Sequence, residues 1–259
     1  MEDVSDVSPP RTPWPPGFPD VVIHTTEAIR NAHPDYPAAK AANPKTGDPT
    51  AALNLAQDLL DPGELDRLSE IVGDRKPILA PVTAIELMGW NTIPDAMAQI
   101  LAETLGWPVS LGDVVQINKV GHTRAKSFNR LVTPAAFSGE VLSGADYVLV
   151  DDHVGVGGTL ANLKGHLERH GGRVIAMTTL TESRAARHIA LQPDVLAMLR
   201  DTHGEELEIF WQAQFGHGLD CLTNVEAGVL CRQPSVGAIG DLLAQAAVEA
   251  RERGLASGF

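Results

Sequence analysis

The stretch "YVLVDDHVGVGGTL", residues 147–160, decides the fold. Tyr147 to Val150 show no polar alternation. Such a run reads as a strand buried on both faces of a parallel sheet. Two adjacent carboxylates, Asp151 and Asp152, end it, and the turn Gly155-Val156-Gly157-Gly158-Thr159 comes next. The turn opens a helix, "LANLKGHLERHGG" (160–172), with Leu160, Leu163 and Leu167 inward and Gly171 as its stop. Ligands of parallel sheets bind at the carboxyl ends of the strands. Helix-start amides freed of side chains by glycine form an anion cradle, to which Thr159 adds a hydroxyl. Carboxylates do not bind phosphate; they accept hydrogen bonds from vicinal hydroxyls or hold Mg²⁺ through water. A phosphate next to a diol is a ribose 5-phosphate. The bland alternative is a plain strand–helix turn with a solvated acidic pair.

Other phosphate motifs fit worse. The loop reads G-x-G-G-T, which is not the dinucleotide fingerprint G-x-G-x-x-G, and no G-x-x-x-x-G-K-[ST] occurs in the chain. Successive strand residues point to opposite faces, so Asp151, Asp152 and His153 are not expected to form a direct metal site.

Outward from this stretch, strand and helix alternate. Helices are predicted over 49–61, over 62–73 (Pro62 at its start, Gly73 at its end) and over 94–106 (Pro94 to Gly106). Strands are predicted over 76–82, 113–120, 146–152 and 173–181, with loops over "TAIELMGWNTI" (83–93) and over 121–139. The alternation implies a parallel sheet with right-handed crossovers. Beyond 183 the pattern reads as helix, strand or mixed, and helix.

The chain has 259 residues, 44% of them hydrophobic, and a formal net charge of -13. That bounds it to an α/β domain with additions or two small domains. Phosphate neutralisation needs a basic face, so a nucleic-acid partner is not expected. Cys221 and Cys231 cannot make a disulfide framework or a four-thiolate zinc site. No apolar run approaches the ~20 residues of a membrane span. The opening "MEDVSDVSPPRTPWPPGFPD" lacks the pattern of a secretory signal and reads as a disordered proline-rich arm with Trp14 packed on the body. A cytoplasmic location is expected.

The stretch "YVLVDDHVGVGGT" resembles the PRPP-binding signature of type I phosphoribosyltransferases, and the likeness extends over about 76–182. Upstream, "RAKSFNR" and "AAFSGEVLSGADYVLVDD" are loosely similar to ComF-like members. The resemblance implies a type I phosphoribosyltransferase-like α/β core with N- and C-terminal additions. It implies that Asp151 and Asp152 contact the ribose hydroxyls, and that Gly155, Val156, Gly157, Gly158 and Thr159 hold the 5-phosphate. It places the pyrophosphate loop at "VTAIELMGWNTIP", with backbone contacts near Thr83 and Ala84. This chain departs from the pattern at Val156, where a hydroxyl residue is common, at His153, and in carrying no cation between 83 and 93. A zinc ribbon, frequent in ComF-like members, is beyond its cysteines.

From Val114 to Gly139 there is no acidic residue, while Lys119, His122, Arg124, Lys126 and Arg130 are present. The family carries a mobile lid here. Lys119, Arg124, Lys126 and Arg130 are therefore candidates to stabilise charge on departing pyrophosphate; the alternative is a solvated basic loop. Residues 33–48, with His33, Asp35, Tyr36, Lys40 and Lys45, and residues 214–224, with His217 and Asp220, are candidate hood elements or plain surface structure. Trp90 is a candidate base stacker or a packing residue.

The domain reading is an arm at 1–20, a helical addition or hood at 21–75, a core at 76–182 and an α/β addition at 183–259. The functional expectation is transfer of the 5-phosphoribosyl group from PRPP to an unidentified, nucleobase-like nitrogen acceptor with Mg²⁺, in a chain capable of homodimerising. The alternatives are a catalytically silent PRPP or nucleotide sensor, and a ribosyl-phosphate hydrolase.

Overall fold

A computed structural model describes residues 11–27, 33–40, 48–86, 89–118, 120, 127–183 and 186–255, with backbone only at 85, 86, 89 and 90. The central strand is β7 (Asp146–Val154). It pairs in parallel with β2 (Ile78–Pro81) on one side and β8 (Arg173–Glu182) on the other. The short β1 (Val22–Ile23) adds to β8, again in parallel, giving the order β1-β8-β7-β2. Alternation along β7 sets the two faces. Val148 and Val150 enter one core with Leu55, Leu68, Met97 and Leu101. Tyr147 and Leu149 enter the other with Leu160, Leu163 and Leu167. A fold with a parallel sheet between helical layers results, as the alternation of elements implies.

The helices on the first face are α2 (Pro49–Leu59), α3 (Pro62–Val72) and α4 (Ile93–Leu105), preceded by the short α1 (Tyr36–Ala39). Local chemistry sets their ends. Asp48 and Asp61 cap α2 and α3 through side-chain oxygens, each with proline at the start of the helix. Gly106 ends α4 in the left-handed conformation, φ 69°. After α5 (Ser127–Val132), helix α6 (Gly158–Arg169) covers the other face.

A second, smaller sheet has the order β4-β3-β5-β6. It comprises β3 (Thr83–Glu86), β4 (Gly89–Asn91), β5 (Val114–Gln116) and β6 (Phe137–Gly139). The expected loop at 83–93 is therefore in part an antiparallel β3–β4 pair, with Ala84 opposite Asn91. Its short strands lack the length at which alternation becomes readable. The segment 121–139 likewise contains α5 and β6, while 121–126 lie outside the described residues.

Two expectations about the additions are corrected. The part of the arm that is described, from Arg11, is packed on the body. Lys164, fully buried on α6, donates to Thr12 Oγ1 (2.8 Å), Pro13 O (3.0 Å) and Glu168 Oε2 (2.8 Å). Its Nζ lies 5.1 Å from the centroid of Trp14, whose indole donates to Leu222 O at 2.7 Å. A buried ammonium needs such partners, and the arm supplies them; composition alone could not reveal this long-range pairing. The C-terminal part is helical rather than α/β, with α7 (Pro193–Phe215), α8 (Asn224–Cys231) and α9 (Val236–Glu252). In "ELEIFWQAQF", Leu207, Trp211 and Phe215 recur every fourth residue and are buried together, a helical seam that outweighs the β-prone composition. Among the described residues, no helix is long and apolar enough to cross a membrane.

Gly139 holds the second sheet closed. Its φ is 145°, and an added Cβ would stand 1.8 Å from the Asp113 carbonyl oxygen. Gly139→Ala is expected to break the β5–β6 pairing and cost about 3 kcal/mol, measured by chemical denaturation.

Candidate functional site

The carboxyl end of β7 opens into a cavity of about 620 Å³. Asp151, Asp152 and the whole turn Gly155 to Thr159 border it, together with Ala84 and Arg130. The strand–turn–helix connection thus brings the acidic pair and the glycine turn to one space. Gly157 is the N-cap of α6 in the left-handed conformation, φ 86°, and offers no side-chain cap. The first-turn amides of α6 are therefore left for an anion.

The glycines of the turn sit close to their surroundings. A Cβ at Gly155 would meet Arg130 Nη1 at 2.6 Å, and one at Gly158 would meet Glu226 Oε1 at 2.9 Å, so either side chain would have to shift. At Gly157 it would stand 3.0 Å from Ile189 and 3.1 Å from Thr223, in a conformation side chains rarely adopt.

The acids are buried, at 8% and 5% exposure. The backbone N–H of Asp152 donates to Asp151 Oδ1 at 2.8 Å. Lys40 donates from Nζ to Asp152 Oδ2 at 2.5 Å. The two carboxyls then divide. Burial, reinforced by the neighbouring Asp152 charge, raises the Asp151 pKa well above the ordinary value. Burial pushes Asp152 upward too, but the Lys40 ammonium and hydrogen bonds from Lys40 and Asp151 outweigh it and hold the pKa low. One acid is thus biased toward the protonated state and the other toward the ionised state. His153 is hydrogen-bonded to Thr181 Oγ1 (2.8 Å) and Ser183 Oγ (2.9 Å), and burial lowers its pKa. Among the described residues, no three His, Cys, Asp or Glu side chains group as a metal site.

Of the other expected site residues, Thr83 is not on the cavity wall: its hydroxyl donates to Asp95 Oδ1 at 2.7 Å and it is buried. Arg130 is on the wall, against Gly155 in the glycine turn, with a pKa lowered by burial. Lys119, Arg124 and Lys126 lie outside the described residues, as do His122 and Lys45. From the first hood candidate, Tyr36 and Lys40 reach the cavity. From the second, His217 does not; it packs beside Trp211 and Phe215, with its pKa lowered to about 4 by burial. Nothing is described for the side chain of Trp90.

Sequence reasoning missed the back of the turn. Arg11 donates to Glu226 through Nη1 (2.6 Å) and Nη2 (3.0 Å), and through Nε to Asn162 Oδ1 (2.6 Å). Glu226 forms a capping box with Thr223 at the start of α8, and the Thr223 hydroxyl donates to Val156 O at 2.6 Å. The spacing T-x-x-E in "TNVE" was a readable capping signal. Its contact with a turn 67 residues earlier was not.

Among known proteins, no protein-family model matches the chain. It is 42% identical over 243 residues to "Protein TraN" of Escherichia coli, covering 94% of this chain and 53% of that one. It is 38% identical over 157 residues to an uncharacterized protein of Haemophilus influenzae, covering 61% of this chain and 34% of that one. The chain thus spans about half or less of the curated relatives it matches, and neither is named as ComF-like. A crystal structure of an adenine phosphoribosyltransferase superposes with a TM-score of 0.36 at 16% identity, covering 56% of this chain and 83% of that one. A superposition this loose says nothing about substrate or chemistry.

The division of the acids has a measurable consequence. Asp151 binds its proton more tightly folded than unfolded. Its contribution to stability is complete below the ordinary carboxylate range and is lost as pH rises from that range through the raised folded pKa. Asp151→Asn keeps the shape and removes the ionisation. The variant is expected to melt higher than wild type near neutral pH and to lose that advantage toward pH 4, read from melting curves across pH. Lys40→Met is expected to do the opposite at neutral pH, costing about 2 kcal/mol by leaving the Asp152 carboxylate buried without its cation.

Proposed function

We propose that this chain transfers the 5-phosphoribosyl group of PRPP to a nitrogen acceptor of nucleobase-like character, with Mg²⁺. The observation that carries the reading is that one cavity joins an uncapped, glycine-lined helix start to a buried carboxyl pair. A phosphorylated pentose has that layout of charge. The turn amides and Thr159 hold the 5-phosphate, with Arg130 beside Gly155 adding positive charge. Asp152 accepts hydrogen bonds from the ribose hydroxyls, and the protonated Asp151 donates one. Binding energy at the phosphate then orients C1, which lies away from it.

In the transfer, the C1–O bond breaks with its electron pair leaving on pyrophosphate. The acceptor nitrogen lone pair forms the new C1–N bond, and the nitrogen releases its proton to water. Asp152, the acid biased toward ionisation, is a hard oxygen donor that would fit a hydrated Mg²⁺ held through water. Mg²⁺, when bound, supplies charge neutralisation for the departing pyrophosphate. In this reading pyrophosphate departs past Ala84, which lies on β3 and borders the cavity. Asn91 and Gln116 flank Ala84 on the neighbouring strands and also border the cavity. Asn91 accepts from Ile93 N–H through its Oδ1, and Gln116 donates through its Nε2 to Asn118 O. An amide N–H and an amide carbonyl remain for a neutral heterocycle.

A second reading is a sensor that holds PRPP or a nucleotide without turnover. The Lys40–Asp152 ion pair favours it, because that pair occupies a carboxylate the transfer reaction needs.

The deciding assay measures pyrophosphate release from PRPP and Mg²⁺ with and without a panel of nucleobases and amines. Acceptor-dependent release is expected, with PRPP binding in the micromolar range, about −8 kcal/mol. Asp152→Asn is expected to weaken that binding about tenfold by removing a charge-assisted acceptor. Binding without release would leave the sensor. Release without any acceptor would mean hydrolysis, and no binding at all would end both readings.

A further inference from the structure

We propose that Thr223, from the C-terminal helical part, is a positioning residue that aims the Gly157 N–H at the anion bound by the glycine turn. The proposal rests on the reading of that turn as a phosphate seat. Thr223 is fully buried and does not border the cavity; it stands behind the turn. Its hydroxyl donates to Val156 O at 2.6 Å, so that carbonyl is drawn away from the cavity. In a planar trans peptide the carbonyl and the following N–H point in opposite directions. Anchoring the Val156 carbonyl behind the turn therefore turns the Gly157 N–H toward the cavity.

The anchor matters because glycine by itself does not fix the orientation of this peptide. Gly157 sits at φ 86°, and glycine accepts several backbone conformations at similar cost. Without the anchor, the 156–157 peptide can rotate and present its carbonyl to the anion, acceptor against acceptor. Val156 has no hydroxyl with which to compensate. The anchor is itself held. Glu226 Oε2 accepts from Thr223 N at 2.9 Å, and Thr223 Oγ1 accepts from Glu226 N at 3.1 Å. Arg11 clamps Glu226 and reaches through Nε to Asn162, one turn along the helix that the glycine turn opens. The contacts close a ring from Val156 through Thr223, Glu226, Arg11 and Asn162 back to α6. The phosphate end is thereby built from the arm, the core and the C-terminal helices together.

A threonine that only caps α8 would affect stability and leave phosphate binding alone, and this separates the two roles. The Thr223 methyl packs 3.1 Å from where a Gly157 Cβ would sit, so Thr223→Val keeps the packing and removes the hydroxyl, while Thr223→Ser keeps the hydroxyl. The full chain is titrated with inorganic phosphate, ribose 5-phosphate and ribose by calorimetry, with Tm recorded for each variant. Thr223→Val is expected to bind phosphate and ribose 5-phosphate about tenfold more weakly, with ribose unchanged, and Thr223→Ser to stay within about twofold of wild type. In an amide NMR spectrum of the wild type, the Gly157 N–H is expected to shift on phosphate addition. If wild type binds neither phosphate nor ribose 5-phosphate, the phosphate-seat reading falls and this proposal with it. If wild type binds and Thr223→Val binds equally, or Thr223→Ser is as weak as Thr223→Val, this proposal alone is overturned. Should Thr223→Val not fold, a Gly157 resonance unmoved by phosphate, while other turn amides shift, overturns it.

Discussion

Two carboxyl groups on consecutive residues, buried at the end of a central strand, are the constraint on which the rest of this molecule turns. Placing one carboxylate in a protein interior costs several kcal/mol; placing two side by side adds their repulsion. The strand order β1-β8-β7-β2 makes β7 an inner strand, so its acids cannot retreat to a sheet edge. The structure resolves the conflict by treating them differently. Asp152 receives an ammonium from outside the sheet, and burial beside the Asp152 charge raises the pKa of Asp151. The short α1 segment that carries Lys40 is thus tied to the site electrostatically, whatever its packing contributes.

The same logic runs through the additions. Lys164 and Glu226 are charged groups buried at the back of the glycine turn, and each is satisfied by the arm, through Thr12, Pro13 and Arg11. Partners this distant in sequence make the arm, the core and the C-terminal helices mutually dependent. Lys164 also pairs with Glu168 on its own helix, but removing Arg11 would leave Glu226 as an unpaired buried charge, which is the costlier half of such a pair. The proline content that suggested disorder in the arm serves a different end where the arm is packed on the body. Pro13 has no N–H to satisfy, and its carbonyl is free to accept from Lys164.

How much of this was readable in the sequence depends on the range of each interaction. The central strand, the glycine turn and helices α2 to α4 and α6 rest on local patterns, such as apolar runs, proline starts and glycine stops, and these were legible. The acidic pair and the turn were legible as a site because one strand–turn–helix connection delivers them together. Thr83 was named for a backbone contact from its place after β2; Ala84 borders the cavity and Thr83 does not, a difference of one residue that a run of three or four strand residues does not encode. The helical seam of Leu207, Trp211 and Phe215 was hidden among aromatic and β-branched neighbours. Arg11, Lys40 and Thr223 act on the site over separations of more than sixty residues, and no periodicity encodes that.

The distribution of charge around the cavity gives the site a polarity. Positive groups gather at the ends of β7 and at the glycine turn: Lys40 at Asp152, Arg130 at Gly155, Arg11 at Gly158. Lys40 and Arg11 answer carboxylates of the chain itself, Asp152 and Glu226, so the local field is less positive than the count of cations suggests. An anion at the turn is then favoured mainly by oriented backbone amides, whose direction depends on how each peptide plane is held. The wall formed by β3, β4 and β5 is different. Ala84, Asn91 and Gln116 present a small side chain between two uncharged amides. A ligand that fits both ends carries its charge at the turn and a neutral, hydrogen-bonding group at the second sheet. In a chain with net charge -13, an anion bound at this turn would depend less on net positive charge than on how a few peptide groups are held.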